Sequence, residues 1–101
     1  MYTVFSTFDV PDEKAEEVIN IYKKRSRKVD QAPGFVDFQL LQNDKRLGEL
    51  TVQLTFETKD FYLTWVRSKE FKEIHELEKK YPDQELAATI PSIRQYKVVA
   101  T

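Results

Sequence analysis

The sequence predicts a single α+β domain over residues 1–101, and three observations predict it. Segments that alternate between apolar and polar residues mark strands. Stripes of apolar residues at helical spacing lie between those segments. Proline, glycine and short polar runs separate the two kinds. The length suits one domain, and 41% hydrophobic and 13% aromatic residues are enough for a core.

Tyr2, Val4, Phe8 and Val10 share one face of the first strand, with Ser6 among them, while Thr3, Thr7 and Asp9 share the other with Phe5. Pro11 and Asp12 then open a helix whose first turns carry Glu13, Glu16 and Glu17, where the dipole favours anions. Ala15, Val18, Ile19 and Tyr22 form its buried stripe, and Lys23, Lys24, Arg25, Arg27 and Lys28 load its final turns until Pro33-Gly34 ends it. A second strand over 35–42 places Val36, Phe38 and Leu40 on one face. The polar turn Asn43–Gly48 leads into a third strand over 49–57, where Leu50, Val52, Leu54 and Phe56 alternate with Thr51, Gln53 and Thr55. Lys59–Val66 reads as a short helix and Ser68–Tyr81 as a longer one, with Ser68 as the N-cap between them. Pro82 ends the longer helix, residues 82–92 form a loop, and Ile93–Ala100 is a last strand.

The order is β-α-β-β-α-β with the second helix split, the ferredoxin-like arrangement around an antiparallel sheet. The half-polar outer faces of the first and third strands call for cover, which a second copy packed sheet to sheet would supply. A homodimer is therefore expected.

The 16 basic and 17 acidic side chains leave a net charge of −1, which argues against nucleic-acid and anionic-membrane partners. The absence of cysteine excludes disulfide and thiolate chemistry and fits a reducing, cytoplasmic compartment. No apolar run approaches the roughly 20 residues of a membrane span. With a single histidine, His75, a multi-histidine metal site within one chain is excluded, and no glycine-rich phosphate loop is present.

Three side chains are candidates for chemistry. His75 falls one turn after Phe71, at the margin of a stripe centred on Ile74, Leu77 and Tyr81. It reads either as a half-exposed surface histidine or as a residue at a pocket mouth. Trp65, the only tryptophan, is a core anchor or a pocket wall. On one straight helix it would face away from His75, and a break at Ser68 removes that objection. Ser6 is the one polar group in the first strand's apolar stripe, so its hydroxyl needs backbone or a ligand.

The stretch Phe61 to His75, with Phe61, Trp65, Ser68, Phe71 and His75 at spacings of four, three, three and four, resembles the antibiotic-biosynthesis-monooxygenase superfamily. Pro33-Gly34-Phe35 and the strand leading into Thr58, Lys59 and Asp60 fit as well. A tryptophan and a histidine ten residues apart are similar to the small heme-degrading monooxygenases. That resemblance implies a homodimeric α+β barrel, heme as both substrate and cofactor, dioxygen, and an external electron donor such as a reductase. It also implies His75 as axial iron ligand, Trp65 pressed on the macrocycle beside Phe71, and a distal donor on the first strand. The family has an asparagine at that last position. Alignment on the first helix puts Ser6 there, counting from the N-terminus puts Thr7, and Ser6 is preferred because it shares the apolar face. Serine is the shorter donor. Arg25, Arg27 and Lys28 are candidates to hold propionates. Two other readings stay open. One is a cofactor-independent monooxygenase acting on a polycyclic aromatic or quinol-like small molecule. The other is a non-enzymatic dimeric binding or stress protein, with Phe56, Phe61, Phe71 and Tyr96 filling the space between sheet and helices.

Overall fold

The computed structural model describes residues 1–79 and 89–101. Strand β1 spans Tyr2–Asp9, helix α1 Ala15–Lys23, β2 Phe35–Gln42, β3 Glu49–Phe56, α2 Lys59–Val66, α3 Lys69–Lys79 and β4 Ser92–Lys97. The strands form one antiparallel sheet in the order β2-β3-β1-β4, as the ferredoxin-like arrangement requires. Pro82 and most of the expected loop after α3 lie outside the described residues, as does Tyr81. No helix among the described residues is long and apolar enough to cross a membrane.

Alternation sends every second residue of β1 and β3 to the same side. The pairs Tyr2–Phe56, Val4–Leu54, Ser6–Val52 and Phe8–Leu50 face the helices, and Thr3–Thr55, Phe5–Gln53 and Thr7–Thr51 face away. The helix side carries two buried clusters. Tyr2, Val4, Val29, Phe56, Tyr62 and Trp65 make one, and Val10, Ala15, Val18 and Leu50 make the other. Ser6 and its cross-strand partner Val52 belong to neither, so the apolar lining is interrupted midway along the sheet.

Four local expectations change. The first helix stops at Lys23, because Arg27 takes a left-handed conformation (φ 59°) and the chain restarts as a 3-10 turn over Lys28–Gln31. Arg25, Arg27 and Lys28 thus follow the helix rather than load its last turns. A register shift between Phe35 and Asp37 makes Val36 a bulge, 39% exposed, and gives the core position to Phe35, whose ring meets Phe56 edge-on at 6.3 Å. Tyr96 pairs with Thr3 and its ring meets Phe5 at 5.8 Å, so it sits on the far face of the sheet and fills no space beneath the helices. Leu77 is 67% exposed, because α3 rests mainly on α2 and the 3-10 turn, leaving its second half clear of the core.

Both glycines are required, Gly48 because a Cβ would fall on the Val10 carbonyl and Gly34 for two reasons. Its φ is +78°, and a Cβ there would fall inside the Phe61 side chain. Its carbonyl accepts the Glu57 N–H at 2.8 Å, which fixes the entry of β2 against the exit of β3.

Tyr62 packs on Tyr2 at 5.6 Å, and the Tyr2 hydroxyl donates to the Gln95 side-chain oxygen at 2.8 Å. Burial pushes the Tyr62 hydroxyl above its ordinary value of 10.0, and Tyr2 adds to this while a hydrogen bond with Gln95 opposes it. The fold therefore favours the neutral phenol. Its contribution is fully present below the unfolded-state value and is lost as pH rises through the higher folded-state value. In urea titrations between about pH 9 and about pH 11, wild type should lose stability more steeply than Tyr62→Phe.

Candidate functional site

The candidate site is built at the joint between α2 and α3. Thr58 caps α2 by accepting the Phe61 N–H at 3.3 Å, and the helix buries Tyr62 and Trp65 on one side. The helix ends at Trp65–Val66, where the Ser68 hydroxyl donates to the Trp65 carbonyl at 2.6 Å and accepts the Phe71 N–H at 3.2 Å. That one side chain gives the Trp65 carbonyl a second donor beside the Ser68 backbone N–H and satisfies an orphan donor of the second helix. The expected break at Ser68 is present, and it turns α3 so that Phe71 lies edge-on to Trp65 at 6.0 Å. One turn on, the His75 ring is 4.2 Å from the Phe71 ring. Trp65, Phe71 and His75 thus form a continuous aromatic run from the core to the surface, with Trp65 7% exposed and His75 exposed.

Ser6 is half-buried on the helix side of the sheet, in the interruption between the two clusters, and Thr7 faces the opposite way. The edge-strand neighbour of Ser6 is Ile93, 56% exposed. Exposed Ile93 leaves apolar surface beside the interruption, and exposed Leu77 with half-buried Phe71 and Ile74 leaves apolar surface along α3. The structure joins His75 to Phe71 and Trp65; it shows no contact between these and Ser6.

Beyond Ser6 lies an aromatic wall. Phe8, Tyr22 and Phe38 stack in series at 6.2 and 6.3 Å, and the Arg25 guanidinium lies 3.9 Å from the Phe38 ring centre. Arg25 also donates twice to Asp30, at 2.8 and 3.2 Å. Lys28 pairs with Glu73 of α3 at 3.4 Å. Arg27 is the loosest of the three cations, 68% exposed and 3.6 Å from Asp30. Apolar residues at helical spacing signalled the location of this wall, but nothing local signals a cation stacked across two elements.

A small cleft of about 220 Å³ opens on the other side of Trp65, lined by Lys28, Ala32, Phe61, Thr64, Ser68 and Glu70 among others. It is smaller than the roughly 300 Å³ at which ligand sites begin. Among the described residues no cluster of three or more metal-ligating side chains exists. Any iron held here would depend on a single imidazole and a macrocycle that brings the remaining donors. In kind, the side chains present suit such a group: exposed His75 against the Phe71 ring, Trp65 behind it and the loosely held Arg27, with the Ser6 hydroxyl on the sheet making no contact with the rings.

Because Ser68 serves both helices, Ser68→Ala should lower stability by about 1 kcal/mol in urea denaturation, the usual cost of losing a cap.

The comparisons agree with this architecture. No curated protein matches the chain significantly. Among solved structures, the heme-degrader MhuD from Mycobacterium tuberculosis, determined with two hemes bound in its active site, superposes with a TM-score of 0.79 at 21% identity, covering 100% of this chain and 98% of that one. A structure from Deinococcus radiodurans described as an antibiotic biosynthesis monooxygenase gives 0.76 at 11% identity, over 100% and 95%. A conserved protein from Methanosarcina mazei gives 0.70 at 24%, over 95% and 90%. At these identities the likeness speaks for the fold. The family model for antibiotic biosynthesis monooxygenase matches residues 1–77. With that match covering β1 through most of α3, the chain belongs to the antibiotic biosynthesis monooxygenase family.

Proposed function

We propose that this protein is a cytoplasmic, homodimeric monooxygenase that binds heme and degrades it oxidatively with release of iron. The observation that carries the reading is the aromatic run from buried Trp65 through Phe71 to exposed His75 at the joint of α2 and α3. An apolar macrocycle placed there would cover the exposed faces of Leu77 and Ile93. His75 would offer a ring nitrogen to iron, Trp65 and Phe71 would press on the ring, and Ser6 would donate a hydrogen bond from the sheet. Arg27 is the cation best able to turn to a propionate, since Arg25 and Lys28 already hold Asp30 and Glu73 more closely. Heme, when bound, would supply the iron that activates dioxygen, with electrons from an external donor such as a reductase.

The homodimer rests on the sheet's other face. Phe5 and Tyr96 stand there with Leu41, 42% exposed, around a groove of about 680 Å³, flanked by hydroxyl pairs Thr3–Thr55 and Thr7–Thr51. Packing on the same face of a second copy would close this groove and complete an α+β barrel.

The cleft at Trp65 favours a second reading. Its 220 Å³ excludes a porphyrin, and a smaller aromatic would enter it once it widened by roughly a third. A quinol-like substrate held there would supply the electrons for dioxygen itself, making the enzyme cofactor-independent.

Titration with hemin separates the two. Saturable binding with a shifted Soret band, abolished in His75→Ala, is expected. An unchanged band in that variant removes His75 as the ligand, and no binding at all leaves the smaller substrate. Under dioxygen with ascorbate the Soret band of the complex should decay. Ser6→Asn should speed the decay several-fold, on the order of what one added hydrogen-bond donor contributes; no gain would remove Ser6 from the distal role.

A further inference from the structure

The strands carry four charged side chains on the sheet's outward face, and two of them are held by an arginine of the turn before β3. Arg46 reaches Asp9 at 3.5 Å and Glu49 at 3.4 Å. The remaining two are Asp37 on β2 and Arg94 on β4, and among the described residues neither makes an ion pair. They occupy opposite edge strands of one face. Asp37 is aligned with Thr55, Thr3 and Tyr96, whereas Arg94 is aligned with Phe5, Gln53 and Gln39. Three strand spacings separate them across the sheet, about 14 Å. Two residues separate them along it, about 7 Å. Even a fully extended arginine in one copy cannot close that distance.

We propose that Asp37 of one protomer pairs with Arg94 of its partner, and that this pair, formed twice, sets how two copies lie on each other. The proposal rests on the homodimer described above and specifies its geometry. Two sheets facing each other have two symmetric ways to meet. If the two-fold axis runs along the strands, β2 of each copy lies over β4 of the other, and each carboxylate finds a guanidinium within a side chain's reach. If the axis runs across the strands, β2 lies over β2 and β4 over β4. Asp37 then lies nearest Asp37 and Arg94 nearest Arg94, each pair staggered by about 7 Å when the axis passes midway, in a setting where like charges lose their water. The charges therefore select the first arrangement and disfavour the second. The apolar ring pair Phe5–Tyr96 and the threonine pairs fit either orientation and carry no such discrimination.

The test is a charge exchange on the full chain, read by sedimentation velocity over a dilution series, with far-UV circular dichroism to check folding. Wild type should be a dimer. Asp37→Arg and Arg94→Asp should each weaken dimerisation at least about tenfold, and the double variant should recover to within a few-fold of wild type. A dimeric wild type whose single variants dimerise normally, or whose double variant fails to recover, overturns the pairing while leaving the dimer intact. A wild type that stays monomeric overturns both. Should either reversal impair folding, Asp37→Asn and Arg94→Gln keep the side-chain size. Each should weaken dimerisation less than the reversals do, and no weakening in either again overturns the pairing.

Discussion

The Ser68 hydroxyl is the joint on which the candidate site depends. It donates to the Trp65 carbonyl and accepts from the Phe71 amide, so the end of one helix and the start of the next are tied to a single oxygen. Without that joint an uninterrupted helix would carry Trp65 and His75 round to different sides. With it, the axis changes direction between them and Phe71 becomes the ring they share. The Lys28–Glu73 pair then ties α3 to the 3-10 turn after α1, though both side chains are half-exposed and the pair contributes at most about 1 kcal/mol. Positioning of α3 thus rests on the cap and on Phe71 and Ile74 far more than on charge.

Strand β1 sits second from one edge and serves two surfaces through its alternation. Tyr2 and Val4 anchor the cluster beneath α2, Ser6 marks its interruption, and Thr3, Phe5 and Thr7 face the other way. A one-residue slip in its pairing with β3 would exchange the two sets, placing threonines under the helices and tyrosine and valine in water. The threonine pairs at 3.1 and 2.8 Å add to that register, since each hydroxyl finds its partner only when Thr3 meets Thr55 and Thr7 meets Thr51.

Much of this was legible in the residues. Strict alternation over Leu50–Phe56 located β3 to within one residue, because both neighbouring strands enforce the pleat. The stripe Ala15, Val18, Ile19 and Tyr22 located α1's inner face, and Ser68 announced the break in the second helix. Where the reading failed, a non-local or backbone event intervened. Nothing in an arginine signals a left-handed conformation, so the end of α1 was hidden at Arg27. A bulge shifts parity by one, so Phe35 displaced Val36 from the core. Leu77 continues a stripe that packs through Ile74 but is itself exposed, since periodicity reports an apolar face without saying how far its cover extends. For the candidate site, spacing named Trp65, Phe71 and His75, but the stack of Arg25 on Phe38 joins a post-helical turn to a strand, and no spacing rule connects them.

The bulge at Val36 also bears on how the protein behaves when crowded. A four-stranded open sheet has two bare rims of amide and carbonyl groups, and each is a template on which a foreign strand could grow. On β2 the bulge twists the rim out of line, and Pro33 removes a donor just before it. On β4 the strand is only six residues long, preceded by Pro91, and carries Arg94 and Lys97. Both rims are therefore poor seeds for the stacked strands of a fibril. The apolar surface left at Ile93 and Leu77 has no ready path from sticking to ordered aggregation.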